Sequence, residues 1–98
     1  MIKFTIVTIT FNAEGVLKRT LDSVLAQHFP HVEHLIIDGA STDSTLQIAN
    51  DYKSLSDNAH LGHDIRIMSE PDKGIYDAMN KGLRMATGDY ICFLNAGD

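Results

Sequence analysis

Apolar positions along the chain switch repeatedly between a period of two and a period near 3.6, with turn-forming residues at the switches. Lys3 to Thr10 carries β-branched residues in near-alternation and predicts a strand. Asn12 is placed as a helix N-cap, and Val16, Leu17, Leu21, Val24 and Leu25 follow on one helical face, with Pro30 as the stop. A short apolar run, Leu35-Ile36-Ile37, predicts a second strand ending at Asp38-Gly39. Ser41-Thr42-Asp43-Ser44 offers several capping residues, and Leu46, Ile48, Ala49, Tyr52 and Leu55 then fall at helical spacing. Residues 56–64 are polar and predict a surface loop. Ile65-Arg66-Ile67-Met68 predicts a third strand. Pro71-Asp72-Lys73-Gly74 predicts a turn into a helix whose apolar side is Ile75, Met79, Leu83 and Ala86. Gly88 is placed to end that helix in the left-handed conformation, and residues 89–94 predict a fourth strand.

The order is β-α-β-α-β-α-β with short connections. Strand–helix alternation implies right-handed crossovers, so the expected fold is a Rossmann-like α/β domain with a mainly parallel sheet and helices on both faces. No repeat, low-complexity tract or linker divides residues 1–98, and one domain is expected.

Composition narrows the function. With 44% hydrophobic and 21% charged residues in 98, the chain has ordinary globular character. Its net charge of −5 argues against a nucleic-acid partner, which calls for a basic face. It leaves room for a phosphorylated small ligand if a metal ion or helix amino termini supply positive potential. No apolar run approaches the roughly 18 residues of a membrane span. Thr5, Thr8 and Thr10 interrupt the apolar start, which suits a strand better than a signal peptide. The single cysteine, Cys92, lies in an apolar run and is expected to be a reduced core residue of a cytoplasmic protein.

In an open parallel sheet, ligands bind at the carboxyl ends of the strands. Those ends are Thr10-Phe11-Asn12, Asp38-Gly39-Ala40-Ser41, Ser69-Glu70-Pro71-Asp72 and Asn95-Ala96-Gly97-Asp98. Three of the four supply carboxylates, and a hard cation such as Mg²⁺ or Mn²⁺ would relieve their repulsion. Turn and capping preferences alone also favour Asp and Asn at such places. Competing chemistries lack their signatures. The turn after the first strand has no dinucleotide glycines, and neither a phosphate loop ending Gly-Lys-Ser/Thr nor a Gly-x-Ser-x-Gly elbow occurs. His28, His31 and His34 recur every third residue, but Pro30 breaks the helix that would align them for zinc; His60 and His63 fall in the predicted loop. The chain ends on Asp98, which suggests a portion of something longer.

Several ordered segments resemble the nucleotide-sugar-binding half of a family 2 glycosyltransferase. They are Thr10-Phe11-Asn12, Leu25-Ala26-Gln27, Ile36-Ile37-Asp38-Gly39-Ala40-Ser41-Thr42-Asp43, the run Glu70 to Gly82, Ala86-Thr87-Gly88-Asp89-Tyr90 and Phe93 to Asp98. The resemblance spans nearly the whole chain and implies a GT-A fold with inverting transfer of a sugar from a nucleoside diphosphate donor, expected to be UDP-linked. It places Thr10, Phe11 and Asn12 against the nucleoside, with Phe11 stacking on the base where many relatives have Tyr. Asp38 corresponds to a carboxylate that accepts a hydrogen bond from the base. Gly39 stands where many relatives have a second Asp. Asp72 approaches the base or the donor sugar and phosphates, and Lys73 is either a phosphate partner or solvated.

Asn95-Ala96-Gly97-Asp98 corresponds to a metal motif that often reads Asp-x-Asp-Asp, which makes Asp98 the metal ligand for Mg²⁺ or Mn²⁺. Arg66 is assigned to a salt bridge, and Gly82 to close packing of the third helix on the sheet. The catalytic base is unknown and expected downstream of Asp98, so these residues alone should bind nucleotide weakly and transfer no sugar. The implied partners are a nucleotide-sugar donor and a glycan or lipid-linked acceptor of bacterial cell-surface polysaccharide assembly. The implied location is cytoplasmic, at the inner face of the plasma membrane. A sheet edge left open for later strands is a route to self-association. Two readings compete: a non-catalytic α/β nucleotide- or partner-binding module derived from the same fold, and a nucleotidyltransferase, which would need a glycine-rich basic loop that residues 11–15 lack.

Overall fold

The computed structural model describes residues 2–26, 31–59, 62–71 and 73–96. The expectations placed on His28, Pro30, His60, Asp72 and Asp98 lie outside these residues. Strands β1 (Phe4–Thr10), β2 (Val32–Asp38), β3 (His63–Ser69) and β4 (Tyr90–Phe93) alternate with helices α1 (Leu17–Leu25), α2 (Thr45–Ala59) and α3 (Ile75–Met85). The sheet order is β3-β2-β1-β4, and all three strand pairings are parallel. The parallel α/β architecture read from the alternation is therefore the observed one.

Helices α1 and α2 cover one face, where Leu17, Leu21 and Val24 meet Ile36, Ala49, Tyr52 and Ile65. Helix α3 covers the other through Ala78 against Val7, Leu35 and Ile37. Leu17, Leu21, Val24, Ala49 and Tyr52 are buried on the predicted helix faces, but individual positions of α2 and α3 differ. Leu55 and Leu83 are exposed, while Ser56 on α2 and Gly82 on α3 face inward. Helix α2 runs to Ala59 and β3 begins at His63, so the predicted loop over 56–64 is mostly helix and strand.

Two glycines let α3 and β4 approach β1. A Cβ on Gly82 would lie 2.6 Å from Val7 Cγ1, so the absent side chain is what seats α3 on the sheet. Gly88 does not end α3 in the left-handed conformation. The helix finishes at Met85 with Ala86 extended, and Gly88 is small because a Cβ there would sit 2.8 Å from the Thr5 amide nitrogen. A left-handed glycine appears at the other end, where Gly74 caps α3 at φ 115, a region side chains rarely adopt.

Among the described residues, strand β4 pairs with β1 alone, and its four residues Tyr90-Ile91-Cys92-Phe93 are all exposed. Cys92 is accordingly an exposed thiol rather than a core residue. Arg66 pairs with Asp64 at 3.1 Å, the salt bridge its position suggested.

Candidate functional site

The parallel register lines up Thr10, Asp38 and Ser69 as the last residues of β1, β2 and β3. Cross-strand neighbours in this register point to the same face, so their side chains meet. Thr10 Oγ1 and Ser41 Oγ each donate to Asp38 Oδ1 at 2.6 Å, while the Ser41 amide and Ser69 Oγ each donate to Oδ2 at 2.8 Å. Asp38 is 1% exposed. Burial alone would raise its pKa, but these donors outweigh it and hold the carboxyl below its usual range. Main-chain bonds lace the same strand ends together, from the Gly39 amide to the Thr10 carbonyl and from the Glu70 amide to the Asp38 carbonyl, both at 3.0 Å.

The turn after β1 is buttoned onto the turn after β2. The Asn12 amide donates to Ser41 Oγ and the Ala13 amide to Thr45 Oγ1, each at 2.8 Å. Asn12 Oδ1 accepts from the Thr42 amide at 2.9 Å, and Glu14 Oε2 accepts from the Ser44 amide at 2.9 Å. Asn12 is thus a cross-link between turns and not the N-cap of α1, whose cap position is Val16 with no side-chain bond. Asn12 takes φ 46, so its backbone cannot lead directly into a helix. Phe11, beside it, is 66% exposed at the lip of the sheet.

At the third strand end, Lys81 gathers the acidic groups. Its Nζ lies 3.0 Å from Glu70 Oε1 and 3.5 Å from Asp77 Oδ2, and Asp77 also accepts the Lys73 amide at 3.0 Å. Glu70 is therefore neutralised by a cation from α3. At the fourth end, the Leu94 amide bonds the Val7 carbonyl at 2.9 Å and carries the chain to the same edge, where Asn95 is exposed. Among the described residues, no three His, Cys, Asp or Glu side chains converge to hold a metal ion. The oxygen donors of this segment, the Asn95 amide and the Asp98 carboxylate, are of the kind a hard divalent cation takes.

Two buried polar clusters escaped the sequence reading. His34, fully buried on β2, sits between Thr8 Oγ1 at 2.7 Å from Nε2 and Tyr52 Oη at 2.6 Å from Nδ1. Burial, with His63 nearby, lowers its pKa to about 3 and keeps it neutral. Glu33, also fully buried, accepts from Thr5 Oγ1 at 3.0 Å and from the Thr87 amide and hydroxyl at 2.8 Å, with Lys3 Nζ at 3.5 Å. The signal available beforehand was the spacing of Thr5, Thr8 and Thr10, which supplies hydroxyls along β1 to Glu33, His34 and Asp38 on β2. Both clusters serve packing: the first pins α2 to the sheet, the second ties the α3–β4 connection to it.

The sequence signature of Glycosyl transferase family 2 matches residues 5–98. The chain belongs to this family. It is 41% identical over 95 residues to the PGL/p-HBAD biosynthesis glycosyltransferase of Mycobacterium bovis BCG, covering 97% of this chain and 35% of that protein. It is 34% identical over 94 residues to the putative teichuronic acid biosynthesis glycosyltransferase TuaG of Bacillus subtilis, covering 96% of this chain and 35% of TuaG. The fold matches the Pyrobaculum calidifontis mannosyltransferase PcManGT, solved with GDP-Man and Mn²⁺, at a TM-score of 0.85 and 25% identity over 98% of this chain and 28% of that one. It also matches Staphylococcus aureus TarS solved with UDP, at a TM-score of 0.77 and 27% identity over 97% of this chain and 27% of TarS. The family 2 chain thus has the GT-A architecture and spans about a third of the length of the curated relatives it matches.

Proposed function

We propose that the chain is the donor-binding half of an inverting glycosyltransferase that moves a sugar from a nucleoside diphosphate sugar, UDP-linked, to a glycan or lipid-linked acceptor of bacterial cell-surface polysaccharide or glycolipid assembly. The observation that carries this reading is the juxtaposition at the carboxyl edge of an exposed aromatic ring, Phe11, with a rigid polar cluster around Thr10, Asn12 and Asp38. Family membership and the nucleotide ligands of the two solved neighbours support it. The ring offers a face for the base, and the turns around it are held by hydrogen bonds before any ligand arrives. Asp72, in the turn after β3, is assigned to the base or the donor sugar and phosphates.

The diphosphate belongs at the β4 end. Asp98, with the Asn95 amide oxygen, would hold Mg²⁺ or Mn²⁺ there, and a bound cation offsets the charge that develops on the leaving diphosphate. The general base that deprotonates the acceptor is assigned to sequence beyond Asp98, so the 98 residues bind nucleotide and leave the sugar untransferred. Among the described residues, no helix is long and apolar enough to cross a membrane. A cytoplasmic enzyme working at the inner face of the plasma membrane suits a lipid-linked acceptor.

Calorimetric titration with UDP, with and without Mn²⁺, tests the reading. Metal-dependent binding that is lost in Asp98→Ala supports it; binding indifferent to both metal and substitution overturns the metal assignment. Turnover of a UDP-sugar by residues 1–98 alone would overturn the donor-half assignment. Metal-independent nucleotide binding, with no transfer by the full-length protein, would favour the non-catalytic module.

A further inference from the structure

At the carboxyl edge the Asp38 carboxylate receives four hydrogen bonds, two on each oxygen, from Thr10, Ser41 Oγ, the Ser41 amide and Ser69. An ionised carboxylate offers about four lone-pair positions, so these donors fill it. The side chain is also 1% exposed. The next residue, Gly39, has no side chain to offer, and its amide is already bonded to the Thr10 carbonyl. Ser41 Oγ works in both directions: it donates to Asp38 and accepts the amide of Asn12, the residue after Phe11. Granted the nucleoside site proposed above, we propose that Asp38 is a positioning residue that fixes the Phe11–Asn12 turn through Ser41 and does not itself read the base.

The backbone shows why such an anchor is needed. Asn12 at φ 46 and Ala40 at φ 61 both occupy left-handed conformations without being glycine, one in each of the two turns that Ser41 joins. Such conformations persist where surrounding contacts over-determine them. The Asp38–Ser41–Asn12 relay is that constraint, and it sets the direction in which Phe11 presents its ring. Base selection by this stretch then comes from stacking, which every base can offer, and not from a carboxylate aimed at an N–H edge.

The test compares UDP with N3-methyl-UDP, which lacks the ring N–H that a carboxylate would accept. Titrated into the unaltered protein, the two bind within about threefold of each other if no lone pair of Asp38 is open to the ring. A loss of about tenfold or more on methylation, the size expected for a broken hydrogen bond to a charged group, overturns the proposal. Ser41→Ala weakens both ligands by the same factor, about fivefold, through loss of the relay, and Ser41→Thr restores them. Unchanged or tighter UDP binding in Ser41→Ala would mean that the freed lone pair serves the base, which also overturns the proposal. No binding of UDP to the unaltered protein removes the nucleoside site itself, and this role with it.

Discussion

Thr10 and Asp38 stand opposite each other in the β1–β2 register, with the threonine hydroxyl 2.6 Å from Asp38 Oδ1, and this pair closes the carboxyl end of the sheet. Removing the carboxylate leaves the Ser41 amide and three hydroxyls without their acceptor. Asp38→Ala is expected to lower stability by about 3 kcal/mol, read from urea unfolding at neutral pH. Because hydrogen bonding takes the folded pKa below the ordinary 3.8, this stabilisation is complete above that value and disappears as pH falls through the folded one. The unaltered protein should therefore lose stability below about pH 4 more steeply than the variant.

Phe11 separates function from stability. Its ring is mostly exposed, so Phe11→Ala is expected to change unfolding free energy by less than about 0.5 kcal/mol. If the ring carries a base, the same substitution weakens UDP binding by about 1–3 kcal/mol. Parallel calorimetry and denaturation on one preparation would show whether the two effects separate.

The pH response near neutrality is expected to belong to His34. Its pKa falls from 6.5 to about 3 on folding because burial, with His63 nearby, disfavours the charged ring. The contribution is full above 6.5 and is lost as pH falls toward the folded value, reaching as much as about 2 kcal/mol by about pH 5. His34→Gln keeps polar atoms without the titration, so its urea midpoint should vary less than that of the unaltered protein between about pH 7.5 and 5.

The parallel sheet and the sharing of one edge by its strand ends were legible because hydrophobic periodicity and strand–helix alternation determine them together, whereas the order β3-β2-β1-β4 was not read from the sequence. Side-chain engagement was not. Nothing in the string Val32-Glu33-His34 announces a fully buried strand, since Glu33 and His34 are tolerated there only through partners 18 to 54 residues away. The reverse holds at Tyr90–Phe93, where an apolar run is exposed because the main helix packing falls on β1, β2 and β3 and not on β4. Leu55 and Leu83 fell outside the buried stripe because apolar type alone does not show which flank of a helix meets the sheet, and Ser56 and Gly82 hold the inward places instead. At the candidate site, the sequence marked Asp38 and Asn12 as chemistry-bearing types, but it is the fold that saturates Asp38 and commits Asn12 to Thr42.

Ala40 carries a conformation better suited to glycine. At φ 61 its Cβ crowds the backbone, which costs roughly 1–2 kcal/mol in the left-handed region. Ala40→Gly removes that strain but gives the unfolded chain more freedom, an opposing effect of about 0.4–1 kcal/mol. The balance is a gain of about 0.5–1 kcal/mol in thermal or urea unfolding, and a net loss would show that the Asp38–Ser41 turn holds Ala40 without strain.

Gly82 presents the opposite case, in which a generic stabilising substitution is expected to fail. In an exposed helix interior, Gly→Ala gains about 1 kcal/mol. Here the added methyl would meet Val7 Cγ1 at 2.6 Å and Cγ2 at 3.1 Å, and Val7 is itself fully buried in β1. A short β-branched side chain packed on both sides cannot swing away, so α3 must lift from the sheet, an overpacking penalty of about 1–3 kcal/mol. Gly82→Ala should therefore destabilise by up to about 2 kcal/mol, and the double variant Val7→Ala, Gly82→Ala should lose less than the sum of the two single changes. Strict additivity in that cycle would mean the helix accommodates the methyl by another route and would locate the seat of α3 elsewhere, at Ala78 against Leu35 and Ile37.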